Sequence, residues 1–155
     1  MKIISTLIEN DPVSMNLLTS SVIYNALNDR DKPLFVEKGY IAGFEAGEFL
    51  IREDETGDKF FIIKSGDVEV FTTSNGKRVS LAILSIGACI GEGSLITKCR
   101  RTADVQCLTE VVALVFNFSD IEGIIEKNPK VKEILKTLIE KRAESTAGKI
   151  LSCVD

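Results

Sequence analysis

The sequence predicts a mainly β protein, an antiparallel jelly-roll barrel with a helix before it and two helices after it. Residues 34–117 contain short apolar runs that glycines interrupt at close intervals, a pattern typical of antiparallel barrels and jelly rolls. Residues 11–28 and the region from residue 119 onward instead carry apolar side chains at helical spacing. The chain has 155 residues and no visible internal repeat, which predicts one domain.

The first predicted element is a helix over residues 11–28. Asp11 is a candidate cap, and Pro12 suits the first helical position. Four apolar residues fall roughly on one face of this helix: Met15, Leu18, Val22 and Ala26. A polar break at residues 28–33 then ends an N-terminal helical segment, which we place at residues 1–33.

The region after residue 33 predicts strands joined by tight turns. Two apolar runs, Phe60–Ile63 and Val68–Phe71, flank Ser65-Gly66-Asp67, which predicts a hairpin with a glycine-containing loop. Asn75-Gly76 marks a second tight turn before a further strand candidate at residues 79–84. Antiparallel pairing of such strands builds the barrel.

The C-terminal region predicts a buried strand at residues 111–116 followed by two helices. Ser119 and Glu122 form a capping-box signature for a short helix that ends near Asn128. Asn128-Pro129 then starts the second helix as cap and first residue. Its apolar stripe consists of Val131, Ile134, Leu135, Leu138 and Ile139. We therefore place one domain at residues 34–144 and a polar tail at 145–155.

The composition excludes several classes of function. The net charge is −4, which argues against nucleic-acid binding by bulk charge, and no apolar run approaches the roughly 20 residues of a membrane span. The opening residues lack a secretory pattern, so we expect a cytoplasmic protein. Four cysteines without CxxC spacing and the absence of histidine argue against a zinc site. No catalytic or cofactor motif is present, and we expect neither an enzyme nor a cofactor.

Residues 91–105 read GEGSLITKCRRTADV and carry the chemistry of a candidate site. Gly91 permits close backbone approach, and a helical turn beginning at Glu92 would offer free N–H groups to an anion. Arg101 can bind the same anion with a bidentate fork, while the Glu92 carboxylate accepts hydrogen bonds from hydroxyl groups. Together they predict a pocket for a ribose that carries a phosphate. A solvated Glu92–Arg101 ion pair, worth about 0–1 kcal/mol, is the weaker alternative.

This stretch resembles the phosphate-binding cassette of cyclic nucleotide-binding domains in bacterial catabolite activators, kinase regulatory subunits and cyclic-nucleotide-gated channels. The cassette runs G-E-x-A/S-L, four residues, then P-R-S/T-A, and residues 91–103 match it without a gap. The resemblance continues over residues 44–71, and the helix from Asn128-Pro129 looks like the family's C-terminal lid. It covers roughly residues 34–144 and implies a double-stranded β-helix jelly roll with a helical lid.

The resemblance also implies a role for each cassette residue. Glu92 would bind the ribose 2′-hydroxyl, and Arg101 would bind the exocyclic oxygens of the cyclic phosphate. Thr102 would donate its hydroxyl to the phosphate or, with a syn guanine, to the base amino group. Backbone amides around three small residues would complete the phosphate cradle: Gly93, Ser94 and Ala103.

Two departures from the family pattern leave every ligand group in place. Gly93 replaces an aliphatic residue, and Arg100 replaces the proline, where a solvent-facing arginine is favoured over a second phosphate contact. Ile90 and Val70 are candidates to wall the base, and plain core packing is an equal alternative. Arg142 is a candidate to cover the base by stacking, with an ordinary exposed arginine as the alternative.

The resemblance implies a stand-alone, non-catalytic sensor of cAMP or cGMP, with the nucleotide as ligand rather than cofactor. Lid-helix movement would carry the signal to an unidentified protein effector or to self-association, with the N-terminal helix as the favoured relay surface. One alternative is a family member that has lost nucleotide binding and acts as an interaction module. Another is a module that binds a cyclic dinucleotide through Arg100 and Arg101 together.

Overall fold

The computed structural model describes residues 1–53, 55, 57–92, 95 and 103–143, apart from the side chains of residues 139 and 141–143. Within these residues two antiparallel sheets face each other, and helices cover one of them. The predicted mainly β fold with flanking helices is thereby confirmed.

The two sheets together contain nine strands in the part of the chain that is described. In chain order these are β1 (Lys2–Ser5), β2 (Tyr40–Phe44), β3 (Phe49–Ile51), β4 (Lys59–Ser65), β5 (Val68–Ser74), β6 (Lys77–Leu84), β7 (Cys89–Ile90), β8 (Asp104–Cys107) and β9 (Val111–Asn117). The first sheet has the order β1-β2-β9-β4-β7 and the second the order β3-β8-β5-β6. Neighbouring strands in each sheet are antiparallel.

The central strands β2, β9 and β4 of the first sheet are buried on both faces, and successive side chains of a strand point to opposite sides. Phe61 and Ile63 of β4 lie in the inner core between the two sheets. Their neighbour Phe60 lies in the outer core, between the first sheet and the helices. There Phe116 stacks between Phe60 and Phe35, with ring centroids 4.9 and 4.6 Å away. The apolar run in β4 therefore serves two cores at once.

The predicted hairpin between β4 and β5 is wrong. β4 pairs with β7 and β9, whereas β5 pairs with β6 and β8. The turn at Ser65-Gly66-Asp67 therefore carries the chain from one sheet to the other. Gly66 has a φ of +88°, and a Cβ atom there would lie 2.2 Å from the Glu110 carbonyl oxygen. The turn itself was predicted correctly. The residues around it, however, do not determine which strands β4 and β5 pair with.

The second predicted turn and the strands around it are confirmed. Asn75 and Gly76 have φ values of 53° and 75°, the left-handed pair that a two-residue type I′ turn requires. They join β5 to β6 with Ser74 opposite Lys77. The predicted buried strand at residues 111–116 is β9, which lies between β2 and β4 in the first sheet.

The predicted continuous helix over residues 11–28 is wrong, because the chain breaks it into two pieces. These are α1 (Pro12–Thr19) and α2 (Val22–Ala26). Ser21 caps α2, its Oγ accepting from the Tyr24 amide at 3.3 Å. Serine competes for backbone hydrogen bonds in this way, so the Ser20-Ser21 pair ends one helix and starts the next.

A third N-terminal helix, α3 (Lys32–Lys38), occupies residues where strands were expected to begin. Pro33 lies within its first turn, a position that tolerates proline. Phe35 and Val36 are buried in the outer core, so burial against the first sheet favours helix here. The strands that follow these helices accordingly begin at Tyr40 rather than at residue 34. β1 also corrects the prediction of a helical segment over residues 1–33, because it is a strand that pairs with β2.

Two helices follow β9, as predicted: α4 (Phe118–Glu126) and α5 (Pro129–Ala143). The cap of α4 is Asn117 and not Ser119. Asn117 donates to the Asp120 carboxylate at 3.2 Å, and the buried Phe118 starts the helix inside the outer core. On α5 the predicted apolar stripe is confirmed at Val131 and Leu135, which are buried, and at Ile134 and Leu138, which pack beside them. Ile139 of the stripe has its side chain outside the described part.

Candidate functional site

The candidate site begins where β7 ends. β7 pairs with β4 so that Ile90 lies opposite Phe61. The Ile90 side chain is fully buried in the inner core, as is that of Val70. The between-sheet core therefore holds the start of the cassette in place, and a contact of either side chain with a base stays a prediction.

The backbone turns sharply directly after β7. Gly91 is buried and has a φ of +90°, a conformation that favours glycine. The amide of Leu95 donates to the Glu92 carbonyl at 3.1 Å. The other residues of the helical turn expected after Glu92 lie outside the described part, so that turn stays a prediction. Glu92 is only 3% exposed. The turn thus holds the Glu92 carboxylate in the interior of the protein.

Glu92 borders an open cavity of about 260 Å³ that is lined by three parts of the chain. The described residues that line it are Leu17, Ser20, Ser21, Val22, Gly87, Cys89, Glu92 and Leu138. The cavity therefore joins the cassette to the α1–α2 break and to α5. Of these lining residues only Glu92 was predicted as a site residue. The Ser-Ser pair inside an apolar helical pattern was the one available signal.

The far end of the cassette also lies against the inner core. Ala103 is fully buried there and leads into β8, which pairs with β3 and β5. Asp104, the first residue of β8, accepts a hydrogen bond from the Glu53 amide at 2.9 Å. Both described ends of the cassette are thus anchored to the sheets.

The remaining predicted ligand groups lie outside the described residues. They are Gly93, Ser94, Arg101 and Thr102, together with the neighbouring Arg100. The backbone of Arg142 belongs to α5, but its side chain also lies outside the described part. The roles assigned to these residues stay predictions.

Of the two described cysteines, Cys107 is buried and Cys89 is half-buried. Burial raises the pKa of Cys107 to about 11, so this thiol is protonated at neutral pH. Within the described ranges, no three cysteine or carboxylate side chains are arranged to hold a metal ion. The helices in the same ranges are all too short or too polar to cross a membrane.

The sequence profile of the cyclic nucleotide-binding domain matches residues 42–128, more than half of the chain and the whole cassette. The cGMP-dependent protein kinase of Plasmodium berghei (strain Anka) is 34% identical over 90 residues, which is 58% of this chain and 10% of that kinase. The chain spans about a tenth of the length of the first curated relatives it matches.

Solved structures have the same fold. The regulatory domain of Toxoplasma gondii PKA, crystallised with cAMP, superimposes with a TM-score of 0.70 at 17% identity, covering 95% of this chain and 56% of that one. The regulatory subunit of a cAMP-independent protein kinase A from Trypanosoma cruzi, bound to guanosine, superimposes with a TM-score of 0.69 at 24% identity. The match covers 86% of this chain and 46% of that one. At these identities the likeness shows the fold alone.

Proposed function

The chain belongs to the cyclic nucleotide-binding domain family, and we propose that it is a non-catalytic sensor of cAMP or cGMP. The observation that carries the proposal is the buried Glu92. It follows a left-handed Gly91 at the end of β7, and the family's cassette pattern continues from it without a gap. A buried carboxylate beside a cavity suits a ligand that offers hydroxyl donors.

The cassette divides the ligand into a sugar half and a phosphate half. Glu92 binds the ribose 2′-hydroxyl, because a carboxylate placed against the phosphate would be repelled. Arg101 binds the phosphate oxygens through a charge-assisted fork. Backbone amides near Gly93, Ser94 and Ala103 share the negative charge, and Thr102 adds a hydroxyl.

Movement of α5 converts binding into a signal. Leu138 of α5 borders the cavity next to Glu92. At about 260 Å³ this cavity is smaller than the roughly 300–1,000 Å³ of typical small-molecule pockets. A nucleotide in this cavity would contact Leu138, and a displaced α5 would leave it more room. A ligand that favours the moved position shifts the population of α5.

The signal leaves the domain through its helical layer. α2 packs against α5, so a shift of α5 changes the surface that the N-terminal helices present. The recipient is an unidentified protein effector or a second copy of this chain. The N-terminal helices are the relay surface.

Calorimetric titration tests the proposal directly. We expect saturable binding of cAMP and cGMP, and much weaker binding of guanosine, which lacks the phosphate. Absence of binding by every cyclic nucleotide would favour an interaction module that has lost its ligand. Tighter binding of a cyclic dinucleotide would favour recognition by Arg100 and Arg101 together. Guanosine binding as tight as that of cGMP would show that the phosphate contributes nothing to the affinity.

A further inference from the structure

Ser21 carries a buried hydroxyl group at the edge of the cavity beside Glu92. Ser21 is 8% exposed, and it lines that cavity together with Glu92. Its Oγ accepts a hydrogen bond from the Tyr24 amide at 3.3 Å, as the cap of a helix does. This bond does not use the hydroxyl hydrogen, because a serine hydroxyl is a donor as well as an acceptor. In the described part of the chain, no acceptor takes that hydrogen.

The two hydroxyl groups next to Ser21 in the sequence are already used. Ser20 also borders the cavity, but it is exposed and its hydroxyl donates to the Asn16 carbonyl at 2.9 Å. Thr19 is exposed as well and donates to the same carbonyl at 3.2 Å. Of these three residues at the break between α1 and α2, Ser21 alone combines burial with an unused donor. Buried donors in proteins nearly always have an acceptor, and a bound ligand would supply one here.

The cavity thus presents an acceptor and a donor to the same ligand. The Glu92 carboxylate accepts hydrogen bonds only, whereas the Ser21 hydroxyl can donate one. A ribose hydroxyl has one hydrogen and two lone pairs, so it can donate to the carboxylate and accept from the serine at the same time. An ionised phosphate suits this place poorly, because it cannot donate to Glu92 and carries a charge of the same sign.

We propose that Ser21 is a ligand-binding residue whose hydroxyl donates a hydrogen bond to the 2′ oxygen of the ribose, while the 2′-hydroxyl donates to Glu92. The inference rests on the proposed function, and it adds a contact from the N-terminal helices to a site built by the cassette. The ligand then bridges the end of β7 and the start of α2. Binding therefore orders the N-terminal helices directly, in addition to any movement of α5.

The test pairs a change in the protein with a change in the ligand. Wild-type chain and S21A are titrated calorimetrically with cAMP and with 2′-deoxy-cAMP. One ordinary hydrogen bond corresponds to roughly three- to tenfold in affinity, so S21A should bind cAMP weaker by about that factor. Its affinity for 2′-deoxy-cAMP should stay within about twofold of the wild-type value. Loss of the α2 cap alone would weaken the binding of both ligands equally.

Two further variants serve as controls. S21T keeps an oxygen that can cap α2 and a hydroxyl that can donate, so its affinity for cAMP should stay within about twofold of wild type. T19A is the matched control, because it removes an exposed hydroxyl from the same break, one that is bound to the Asn16 carbonyl. It should leave the affinities for both ligands unchanged.

A measurement on the wild-type chain does not depend on how S21A folds. Hydrogen exchange of the α2 amides should become slower when cAMP binds, because the ligand holds Ser21 at the start of that helix. At equal saturation, 2′-deoxy-cAMP should slow the exchange of these amides less, since it lacks the oxygen that accepts from Ser21.

Each outcome either supports or overturns the assignment. An S21A variant that loses the same factor of affinity for both ligands would show that Ser21 is only a helix cap, and so would α2 exchange that both ligands slow equally. S21T binding as weak as that of S21A, or an equal loss in T19A, would also count against the contact. A wild-type chain that binds neither cAMP nor cGMP would overturn the proposed function itself. A wild-type chain that binds cAMP no better than S21A does would overturn the role of Ser21 alone.

Discussion

Asn128 donates a 2.8 Å hydrogen bond to the Asp31 carboxylate, although 97 residues separate them. The Asn128-Pro129 pair was predicted as the start of a helix, and α5 does begin at Pro129. The Asn128 side chain, however, is hydrogen-bonded to Asn28 and Asp31 in the turn before α3, and not to the first turn of α5. A buried carboxylate in the helical layer is the result, and the stability of the fold depends on its charge.

This carboxylate predicts a pH dependence of stability. The hydrogen bond from Asn128 holds the pKa of Asp31 below its ordinary 3.8, with help from Asn28, while burial acts in the opposite direction. A lowered folded pKa means that the unfolded chain takes up the proton first. The contribution to stability is thus complete above pH 3.8 and is lost as pH falls through the folded pKa below that value.

Urea unfolding of the wild-type chain and D31N, at neutral pH and in steps below pH 3.8, measures this contribution. D31N cannot lose a charge on acidification, so the difference in unfolding free energy between the two should shrink as pH falls. Asp11, whose pKa is also lowered, through hydrogen bonds from Lys64 and Ser14, is present in both proteins and cancels. A difference that stays constant over this range would show that folding does not lower the pKa of Asp31.

Gly66 is predicted to be the glycine that the sheet-to-sheet crossover requires. G66A would place a Cβ atom 2.2 Å from the Glu110 carbonyl oxygen, and backbone atoms would have to move. We expect a loss of about 3 kcal/mol or more in unfolding free energy, within the range of severe strain. Gly87 is the matched control, because its φ is +85° and a Cβ atom there has no neighbour within 4 Å.

G87A should therefore show left-handed strain alone, about 1–2 kcal/mol. Urea denaturation of both variants gives the comparison. Equal losses would mean that the close approach to Glu110 contributes nothing, and that only the φ value matters at both turns.

Arg101 is predicted to bind the ligand phosphate. R101A should weaken cyclic nucleotide binding by about 2–5 kcal/mol, because a desolvated charge loses its partner, and should leave the melting temperature without ligand nearly unchanged. Isothermal titration with cAMP and cGMP measures the effect. R100A is the control and should have a much smaller effect. If R100A proves the more damaging variant, the register of the cassette is wrong.

Glu92 is predicted to bind the ribose 2′-hydroxyl. E92Q keeps an acceptor but removes the charge, so affinity for ribose ligands should fall. The wild-type chain should bind a 2′-deoxy analogue less tightly than the parent nucleotide. For E92Q the two ligands should differ little in affinity. This non-additivity is the signature of a shared contact. Fully additive losses would assign the 2′-hydroxyl to another residue.

Thr102 is predicted to set a modest preference between nucleotides. A hydroxyl that bridges the phosphate and a guanine amino group contributes about 0.5–1.5 kcal/mol, so both nucleotides should bind within roughly tenfold of each other. T102A should weaken the binding of cGMP and leave the affinity for cAMP nearly unchanged. Equal losses for both would confine Thr102 to the phosphate. A wild-type preference for cAMP of several hundredfold would assign specificity to the lid helices.

Features that depend on neighbouring residues alone were predictable from the sequence. The Asn75-Gly76 turn is one, because its left-handed backbone is a property of those two residues and sets the register of β5 and β6. The apolar stripe of α5 is another, since its spacing marks the buried face before any partner is known. The cassette pattern was equally readable, because it consists of a few residues that are adjacent in the sequence.

The sequence by itself thus determined the fold class, the position of the cassette and the tight turns. Only the tertiary structure decided that Gly66 joins two sheets, that Ser21 starts a new helix, and that Asn128 binds Asp31. The physical reason is the same in each case. A turn, a serine or an asparagine can satisfy its hydrogen bonds in several ways, and the choice among them is made by burial against chain segments that are distant in sequence.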